Sequence, residues 1–203
     1  MPSTIYISDF VYEMESILRK FDNKDLKLMI SGGSILTILK NINFKNIKTT
    51  KWKIYFADER ISQQESDLNF FDAEFLKSTD ALIYPINTKI CPEKAIEDYI
   101  SILEPINVCF LGVGEDGHIA SIFPNSKNIT KKEMFIYVND SPKPPKERIS
   151  VSISYLNTVN SIYFFIPPKN EILKDVCCPD QSIQKELKDD YVIFLDSRIK
   201  NKN

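Results

Sequence analysis

All five glycines of the chain, and its only histidine, lie in two short segments. Gly32 and Gly33 occur in MISGGSILTIL, between an apolar run and a helical pattern, and the other three precede His118 in LGVGEDGHIASIFP. A glycine turn that opens a helix presents free backbone N–H groups, which together with the helix dipole favour an anion such as phosphate. A histidine beside such turns suits proton transfer, because its unperturbed pKa of ~6.5 is near neutral pH. Together the two segments predict an enzyme that acts on a small phosphorylated substrate.

The first candidate site is the turn formed by Ser31, Gly32, Gly33 and Ser34. Glycine in such a turn lets phosphate oxygens approach the backbone closely. The segment lacks the G-x-x-x-x-G-K pattern and the full G-x-G-x-x-G pattern of nucleotide-binding loops. We interpret it as a phosphate site, and the alternative is a tight turn between a strand and a helix.

The second candidate is the charged triplet Asp58-Glu59-Arg60, which follows a predicted strand. In open α/β sheets, ligands bind at the carboxyl ends of the strands. Arg60 would bind an anion or stabilise developing negative charge, and Asp58 would orient Arg60 or accept hydrogen bonds from sugar hydroxyls. The alternative for this triplet is a solvated loop with a local ion pair.

The glycine–histidine segment again follows a predicted strand. Asp116, two residues before His118, is placed to hold the imidazole in one tautomer, as carboxylates do for catalytic histidines. The alternative is a histidine that only caps a helix and fills space. We expect no metal, because the chain has no second histidine to complete a usual site.

The fourth candidate is SPKPPKER, residues 141–148. Its prolines restrict the loop, so that Arg148 is presented at a defined position, and a guanidinium group can fork onto phosphate oxygens. The alternative is a surface loop that carries two lysines and an arginine.

The hydrophobic pattern predicts the sheet that must position these segments. Short apolar runs indicate strands at 26–31, 52–57, 81–84, 107–111, 134–138, 162–166 and 191–195. Helical spacing follows Ser8 and recurs at 35–40, 67–76, 92–103 and 169–176. This alternation predicts an α/β domain with a mainly parallel sheet flanked by helices. Ile149, Val151 and Ile153 alternate with serines, which indicates a half-buried strand in either an antiparallel edge or a small subdomain.

Length, hydrophobic content, net charge and cysteine spacing indicate what class of protein this is. A chain of 203 residues, 43% of them hydrophobic, fits a single domain over 1–203, and we expect its tail to be frayed from about residue 197. A net charge of −2 gives no reason to expect nucleic acid or a membrane as a partner, and no apolar run approaches the ~20 residues that span a bilayer. The cysteines, at 91, 109, 177 and 178, form no C-x-x-C pattern, and the N-terminus resembles no secretory signal. We therefore expect a cytoplasmic protein with reduced thiols.

The four segments, in this order and spacing, resemble the 6-phosphogluconolactonases. That family typically has SGGSTP, FFADER followed by D-S-N, G-x-G-x-DGHTASLFP and SPKPPPERIT. This chain has SGGSIL, YFADER followed by SDLN, GVGEDGHIASIFP and SPKPPKERIS, across about residues 29–169. The related glucosamine-6-phosphate deaminases share the general fold and a DGHIAFNEP-type segment, but SIFP at 121–124 and the ADER motif are of the lactonase type.

The resemblance implies a Rossmann-like α/β fold and hydrolysis of 6-phospho-D-glucono-1,5-lactone, the second step of the oxidative pentose phosphate pathway, without a cofactor. By position, His118 would activate water as the general base, Arg60 would stabilise the oxyanion, and Asp58 and Asp116 would organise the site. The only partner implied is the sugar-phosphate lactone, with coupling or fusion to glucose-6-phosphate dehydrogenase as a further option. The implied substrate- and phosphate-binding residues are Ser31, Gly32, Gly33, Ser34, Asn69, Gly114, Arg148 and Lys169.

The chain departs from the family pattern beside the predicted phosphate site. Ile35-Leu36 replaces Thr-Pro, Leu68 replaces the serine of D-S-N, and Ile166 stands where a glycine usually precedes Lys169. These changes bear on phosphate affinity and leave the catalytic set intact. Two other functions remain open at this point: a glucosamine-6-phosphate deaminase or sugar-phosphate isomerase on the same fold, and a non-catalytic module that binds a sugar phosphate.

Overall fold

The described part of the chain, residues 2–168, 183–188 and 190–200 of a computed structural model, contains two β-sheets. In chain order its strands are β1 (Ser3–Ile7), β2 (Leu26–Ile30), β3 (Trp52–Phe56), β4 (Asp58–Arg60), β5 (Leu82–Tyr84), β6 (Val108–Leu111), β7 (Phe135–Val138), β8 (Arg148–Val151), β9 (Ser161–Ile166) and β10 (Tyr191–Asp196). Seven form a parallel sheet in the order β1-β10-β9-β6-β2-β3-β5, and the other three form an antiparallel sheet in the order β4-β8-β7. The predicted α/β architecture with a mainly parallel sheet is confirmed, and the predicted antiparallel part is a small second sheet.

Short helices lie between these strands and after β10: α1 (Phe10–Arg19), α2 (Ser34–Lys40), α3 (Asn69–Asp72), α4 (Pro92–Ile102), α5 (Ile153–Leu156) and, following β10, α6 (Ser197–Lys200). The longer ones bury an apolar face, for example Met14, Ile17 and Leu18 of α1. Asp9, rather than the expected Ser8, caps α1, since its carboxylate accepts from the Tyr12 N–H at 2.9 Å. Within the described residues, none of the helices has both the length and the apolar character that crossing a bilayer requires.

The central strands are apolar on both faces, which is what a covered parallel sheet requires. All four residues of β6 are buried, and Phe110 packs edge-on against Phe165 of β9 with 5.3 Å between the ring centroids. Because β2 lies between β6 and β3, the segments that follow these three strands emerge side by side at one edge of the sheet. The sheet therefore brings residues 31–34, 58–60 and 112–118 together.

Ala57 joins the two sheets. Its N–H donates to the Ile30 carbonyl in β2 at 2.8 Å, and its carbonyl accepts from the Val151 N–H in β8 at 2.7 Å. β8 ends there, whereas the alternation of apolar residues with serines predicted that the strand would continue through Ile153. Ile153 instead begins α5, because the Ser152 hydroxyl accepts from the Tyr155 N–H at 3.1 Å and caps the helix.

Two further segments differ from the sequence predictions. Those predictions omit β1, although Ile5, Tyr6 and Ile7 are of types that favour strands; four of its five residues are exposed. Residues 67–76 form short 3-10 turns around the single turn of α3 instead of one helix. After β10, α6 spans Ser197–Lys200, and the Asp196 carboxylate accepts from the Arg198 N–H and guanidinium at 2.8 Å; the fraying expected of the tail stays a prediction.

Two of the four cysteines lie in the described part of the chain, and the other two lie outside it. Cys91 is an exposed free thiol and Cys109 a buried one, and burial raises the pKa of Cys109 well above its ordinary value. Cys177 and Cys178 lie outside the described residues, as does the helix predicted at 169–176. The thiol of Cys109 is therefore protonated at neutral pH and packs as a small apolar group.

Candidate active site

A cavity of about 330 Å³ opens where the chain leaves β2, β3 and β6. Its volume is at the lower end of the range for small-molecule pockets, roughly 300–1,000 Å³. Most of the site residues predicted from the sequence line it; Asp116 reaches it through His118, and Lys169 lies outside the described residues. The lining consists of Ser31, Gly32, Gly33, Ser34, Asp58, Arg60, Asn69, Gly112, Val113, Gly114, Glu115, His118, Ala120, Lys143, Pro144 and Arg148.

The glycine turn after β2 is held against the loop after β6. The Gly112 N–H donates to the Ser31 hydroxyl at 3.1 Å, and a Cβ on Gly32 would lie 1.9 Å from the Asn69 side-chain oxygen. Gly33 precedes α2 with φ of +62°, a conformation that side chains disfavour, and no side chain caps this helix. The first N–H groups of α2 therefore remain available to a bound group.

His118 is held by a carboxylate on one side and by an aromatic ring on the other. Its Nδ1 lies 2.5 Å from the Asp116 Oδ1, and its ring centroid lies 4.8 Å from that of Phe123. A Cβ on Gly114 would lie 2.1 Å from two atoms of the imidazole, so only glycine allows this approach. Within the part of the chain that the structure describes, Nε2 has no hydrogen-bond partner and is the nitrogen free to take a proton.

Asp116 is a carboxylate at neutral pH. Burial opposes its charge, but the hydrogen bond with His118 and the nearby charges of His118 and Lys143 outweigh burial and lower the pKa of Asp116. The Lys143 ammonium lies 3.3 Å from its second oxygen. Because an ionised carboxylate only accepts hydrogen bonds, Nδ1 must carry the shared proton, and this tautomer makes Nε2 a base.

Asp58 and Arg60 do not pair with each other as one of the sequence hypotheses proposed. The Asp58 carboxylate, in a residue only 4% exposed, accepts from the Ser121 hydroxyl at 2.7 Å. The Arg60 guanidinium instead donates to the Asp67 carbonyl at 2.7 Å, and its buried Nε has no partner in the described residues. Asp67 therefore orients Arg60, which lines the cavity as a cation that a bound anion could approach.

Arg148 is a buried cation that organises the proline-rich loop. It is 5% exposed, and its guanidinium donates to the carbonyls of Lys143, Pro144 and Pro145 at 3.1–3.2 Å. Burial lowers the pKa of Arg148, while the charge of Asp58 opposes that shift. Arginine is so strong a base that the group stays protonated at neutral pH despite this lowered pKa.

Arg60 and Arg148 face each other directly across the β4–β8 pair. Like charges placed opposite on neighbouring strands destabilise a sheet. Both arginines line the cavity together with Lys143, so an anion bound there would relieve their repulsion. This arrangement suits a phosphorylated ligand.

Two of the residues that sequence reasoning missed contact predicted site residues directly: Lys143 pairs with Asp116, and Ser121 bonds to Asp58. Lys143 was interpreted only as a loop lysine, although its place in the SPKPP segment beside Arg148 was a usable signal. Ser121 bonds to Asp58 across 63 positions of sequence, and no local pattern indicates such a contact. Among the described residues, no group of three histidine, cysteine, aspartate or glutamate side chains could hold a metal ion.

Residues 6–187 match the family model of the glucosamine-6-phosphate isomerases/6-phosphogluconolactonase. The chain belongs to this family. Within the family, the chain is 31% identical to 6-phosphogluconolactonase 4 of Saccharomyces cerevisiae over 82% of its own length and 78% of the yeast protein. It is 28% identical to the probable 6-phosphogluconolactonase 1 of rice, with 66% of this chain and 55% of the rice protein covered. The first rice relatives are thus matched over only about half of their length.

Solved structures share the family fold with this chain. The 6-phosphogluconolactonase of Thermotoga maritima superposes with a TM-score of 0.77 at 21% identity, covering 97% of this chain and all of the other. The 6-phosphogluconolactonase of Trypanosoma cruzi superposes with a TM-score of 0.80 at 17% identity, covering 100% of this chain and 97% of the other. The expected Rossmann-like fold is thereby confirmed.

Proposed function

We propose that this chain hydrolyses 6-phospho-D-glucono-1,5-lactone to 6-phospho-D-gluconate, the second step of the oxidative pentose phosphate pathway. The observation that carries the proposal is a histidine held by a carboxylate in a cavity that also presents two opposed arginines. The first group supplies a base, and the second supplies a place for negative charge. Family membership and the name of the yeast relative support the same reaction.

His118 is the general base of the proposed reaction. Nε2 takes a proton from water as the water oxygen attacks the lactone carbonyl carbon, and Asp116 stabilises the imidazolium that forms. Arg60, which lines the cavity, stabilises the oxyanion of the tetrahedral intermediate through its guanidinium group. The intermediate collapses, the bond to the ring oxygen breaks, and His118 returns the proton to that oxygen. One water is consumed and no electrons are transferred, so the step requires no redox cofactor.

The phosphate is assigned to the glycine turn and the basic loop. Gly32, Gly33 and Ser34 offer backbone N–H groups close to the cavity, and Arg148 and Lys143 offer positive charge. Lys169, which the family resemblance implies as a further phosphate ligand, stays a prediction. We also propose that the chain is cytoplasmic and that it is coupled to glucose-6-phosphate dehydrogenase, the enzyme that supplies the lactone.

The direct test is a rate assay on freshly generated lactone, with product followed through 6-phosphogluconate dehydrogenase. The lactone opens spontaneously, so only the rate above a blank without protein, and above a His118→Ala preparation, counts. A wild-type rate of lactone opening far above both of these controls supports the proposal. Ammonia release from glucosamine 6-phosphate would establish a deaminase instead, and ligand binding without turnover of either substrate would establish a sugar-phosphate-binding module.

A further inference from the structure

Glu59 lies in the middle of β4, between two residues of the active-site cavity, but its side chain is on the other side of the strand. Successive side chains of a strand point to opposite faces. Asp58 and Arg60 accordingly line the active-site cavity, whereas Glu59 lines a second cavity of about 360 Å³ behind the strand. Glu59 is therefore not placed to touch a substrate.

The Glu59 carboxylate accepts hydrogen bonds from three backbone N–H groups. Oε1 accepts from Asn69 at 2.7 Å and from Arg60 at 2.8 Å, and Oε2 accepts from Phe70 at 2.9 Å. Asn69 and Phe70 are the first residues of α3, and the preceding Leu68 has no polar atom in its side chain with which to cap them. Glu59, 1% exposed, thus takes the place of the missing cap and ties the start of α3 to β4.

Both elements joined in this way carry groups that enter the active-site cavity. Arg60 belongs to β4, and the Asp67 carbonyl that orients its guanidinium lies two residues before α3. Asn69 belongs to α3, and its side-chain amide donates to the Asp58 carbonyl at 2.9 Å. If α3 shifted relative to β4, the Arg60 guanidinium and the Asn69 amide would both move.

We propose that Glu59 is a positioning residue for the lactonase reaction, on which this inference rests: its ionised carboxylate fixes Arg60 and Asn69 at the cavity. A proton would occupy one of the four acceptor positions of the carboxylate and remove its charge, and hydrogen bonds to a neutral carboxyl are weaker than those to a carboxylate. The three bonds are therefore strongest with the carboxylate. The fixed arrangement of the oxyanion donor therefore depends on the charge of a residue behind the strand.

This charge changes near neutral pH. Burial raises the pKa of Glu59 from its ordinary 4.5 to about 7; the three N–H donors oppose that shift and the charge of Asp58 adds to it. As pH falls through about 7, the carboxylate takes up a proton and its link to α3 loosens. The other charged or titratable groups around Glu59 are Arg60 on its own strand, Arg148 on β8, Tyr99 of α4, and Glu65, Glu74, Lys77 and Lys89 around the second cavity.

An NMR titration tests the link without any activity measurement. In the wild-type chain, we expect the backbone amide signals of Arg60, Asn69 and Phe70 to shift together, with one midpoint near pH 7. The Glu59→Gln variant should lack this shared transition, while a Glu74→Gln variant should keep it. Glu74 lines the same second cavity, but its side chain is 65% exposed and pairs with Lys77. Amide signals that move independently, or that do not respond to pH, would overturn the proposal.

Kinetics test the consequence for the reaction. At pH 8 we expect Glu59→Gln to lower kcat/KM on the lactone by about 10- to 100-fold, the scale of a displacement of about 1 Å in a catalytic group. At pH 6 the deficit should shrink, because the wild-type carboxylate is then protonated. Glu74→Gln should match the wild type at both pH values. A folded Glu59→Gln chain with wild-type kcat/KM across this range would show that Glu59 serves folding alone and overturn the proposal.

The two proposals fail in different ways. A wild-type chain that opens no lactone above the blank refutes the proposed function, and with it the role of Glu59 in that reaction. The link between Glu59 and α3 is still decided in that case by the NMR titration. An active wild type combined with an unaffected Glu59→Gln variant refutes the positioning role alone.

Discussion

The two sheets supply different halves of the active-site cavity. The seven-stranded parallel sheet contributes mainly backbone, through the turn at residues 31–34 and the loop at 112–118 that follow β2 and β6. The three-stranded sheet contributes charged side chains, with Asp58 and Arg60 on β4 and Arg148 on β8. A site for an anionic substrate thus combines N–H groups at strand ends with guanidinium groups fixed on strands.

The two halves are also stabilised differently. In the parallel sheet nearly all buried side chains are apolar, Asp196 at the end of β10 being an exception, and in the loops that follow the strands glycine is required where a side chain would collide, as at Gly32 and Gly114, or where φ is positive, as at Gly33. In the small sheet, Asp58 and Arg148 are buried, which is costly unless hydrogen bonds compensate. Apart from changes to the base His118, substitutions in the first half should therefore act through steric displacement, and those in the second through loss of charge and of partners.

The largest expected effect is that of His118→Ala, which removes the base from the loop after β6. Turnover of the lactone should fall by about 100-fold or more, the usual loss for a general base. The measurement is kcat above the spontaneous rate, with circular dichroism to confirm folding. Wild-type turnover in this variant would show that His118 is not the base.

Gly114→Ala tests the part of the active-site cavity that the parallel sheet supplies, through steric displacement alone. The added Cβ would lie 2.1 Å from the His118 Nδ1 and Cε1, so the imidazole must move. We expect a loss of about 100-fold in kcat, the scale of a displacement of about 1 Å, with every catalytic side chain retained. Unchanged kcat would mean that the position of the ring is not critical for the reaction.

Arg148→Ala tests the charged part of the active-site cavity, which the three-stranded sheet supplies. Removing this guanidinium should raise KM for the lactone by about 30-fold, corresponding to ~2 kcal/mol for a hydrogen bond to a charged group. Lys146→Ala is the matched control, because it removes an exposed cation from the same loop outside the cavity lining. An unchanged KM in Arg148→Ala would remove Arg148 from the phosphate site.

Because Glu59 is a buried acid with a raised pKa, we predict an unusual dependence of the free energy of unfolding on pH. Because the pKa of Glu59 is raised in the folded state, the folded chain binds more protons than the unfolded chain between about pH 4.5 and 7. The contribution of Glu59 to the free energy of unfolding is therefore present at low pH and lost as pH rises through about 7. Urea unfolding should show that the free energy of unfolding of Glu59→Gln, relative to that of the wild type, is higher at pH 8 than at pH 5 by on the order of 1–3 kcal/mol. A difference between the two proteins that is the same at both pH values would contradict the raised pKa.

The smallest expected effect is that of Lys143→Ala. Lys143 is partly exposed, both in its pair with Asp116 and as a charge offered to the phosphate, and exposed pairs of this kind contribute about 0.2–1 kcal/mol. We expect a change of a few-fold in kcat/KM, with the pKa of Asp116 rising toward its ordinary value as a nearby positive charge is removed. A loss as large as that of His118→Ala would assign Lys143 a direct part in the reaction.

Six of the seven parallel strands could be predicted from the sequence, as could β7 and most of β8 in the small sheet, whereas β1 and β4 could not. Buried parallel strands have a recognisable pattern: β6 is a continuous apolar run, and β2 is apolar apart from Lys27. β4 consists of Asp-Glu-Arg, which is typical of a solvated loop, and it is a strand here because β8 and the buried hydrogen bonds hold it. The partners of Asp58 and Glu59 come from distant segments, and tertiary packing sets those contacts.

The most direct test of a single site built by both sheets is a crystal structure with 6-phosphogluconate bound. We expect the phosphate to contact the backbone of residues 32–34 together with Arg148, and the carboxylate to lie between the His118 Nε2 and Arg60. A single ligand would then bridge the glycine turn of the parallel sheet and the arginines of the small sheet. A product molecule bound elsewhere, or bound without contact to either arginine, would contradict this account of the site.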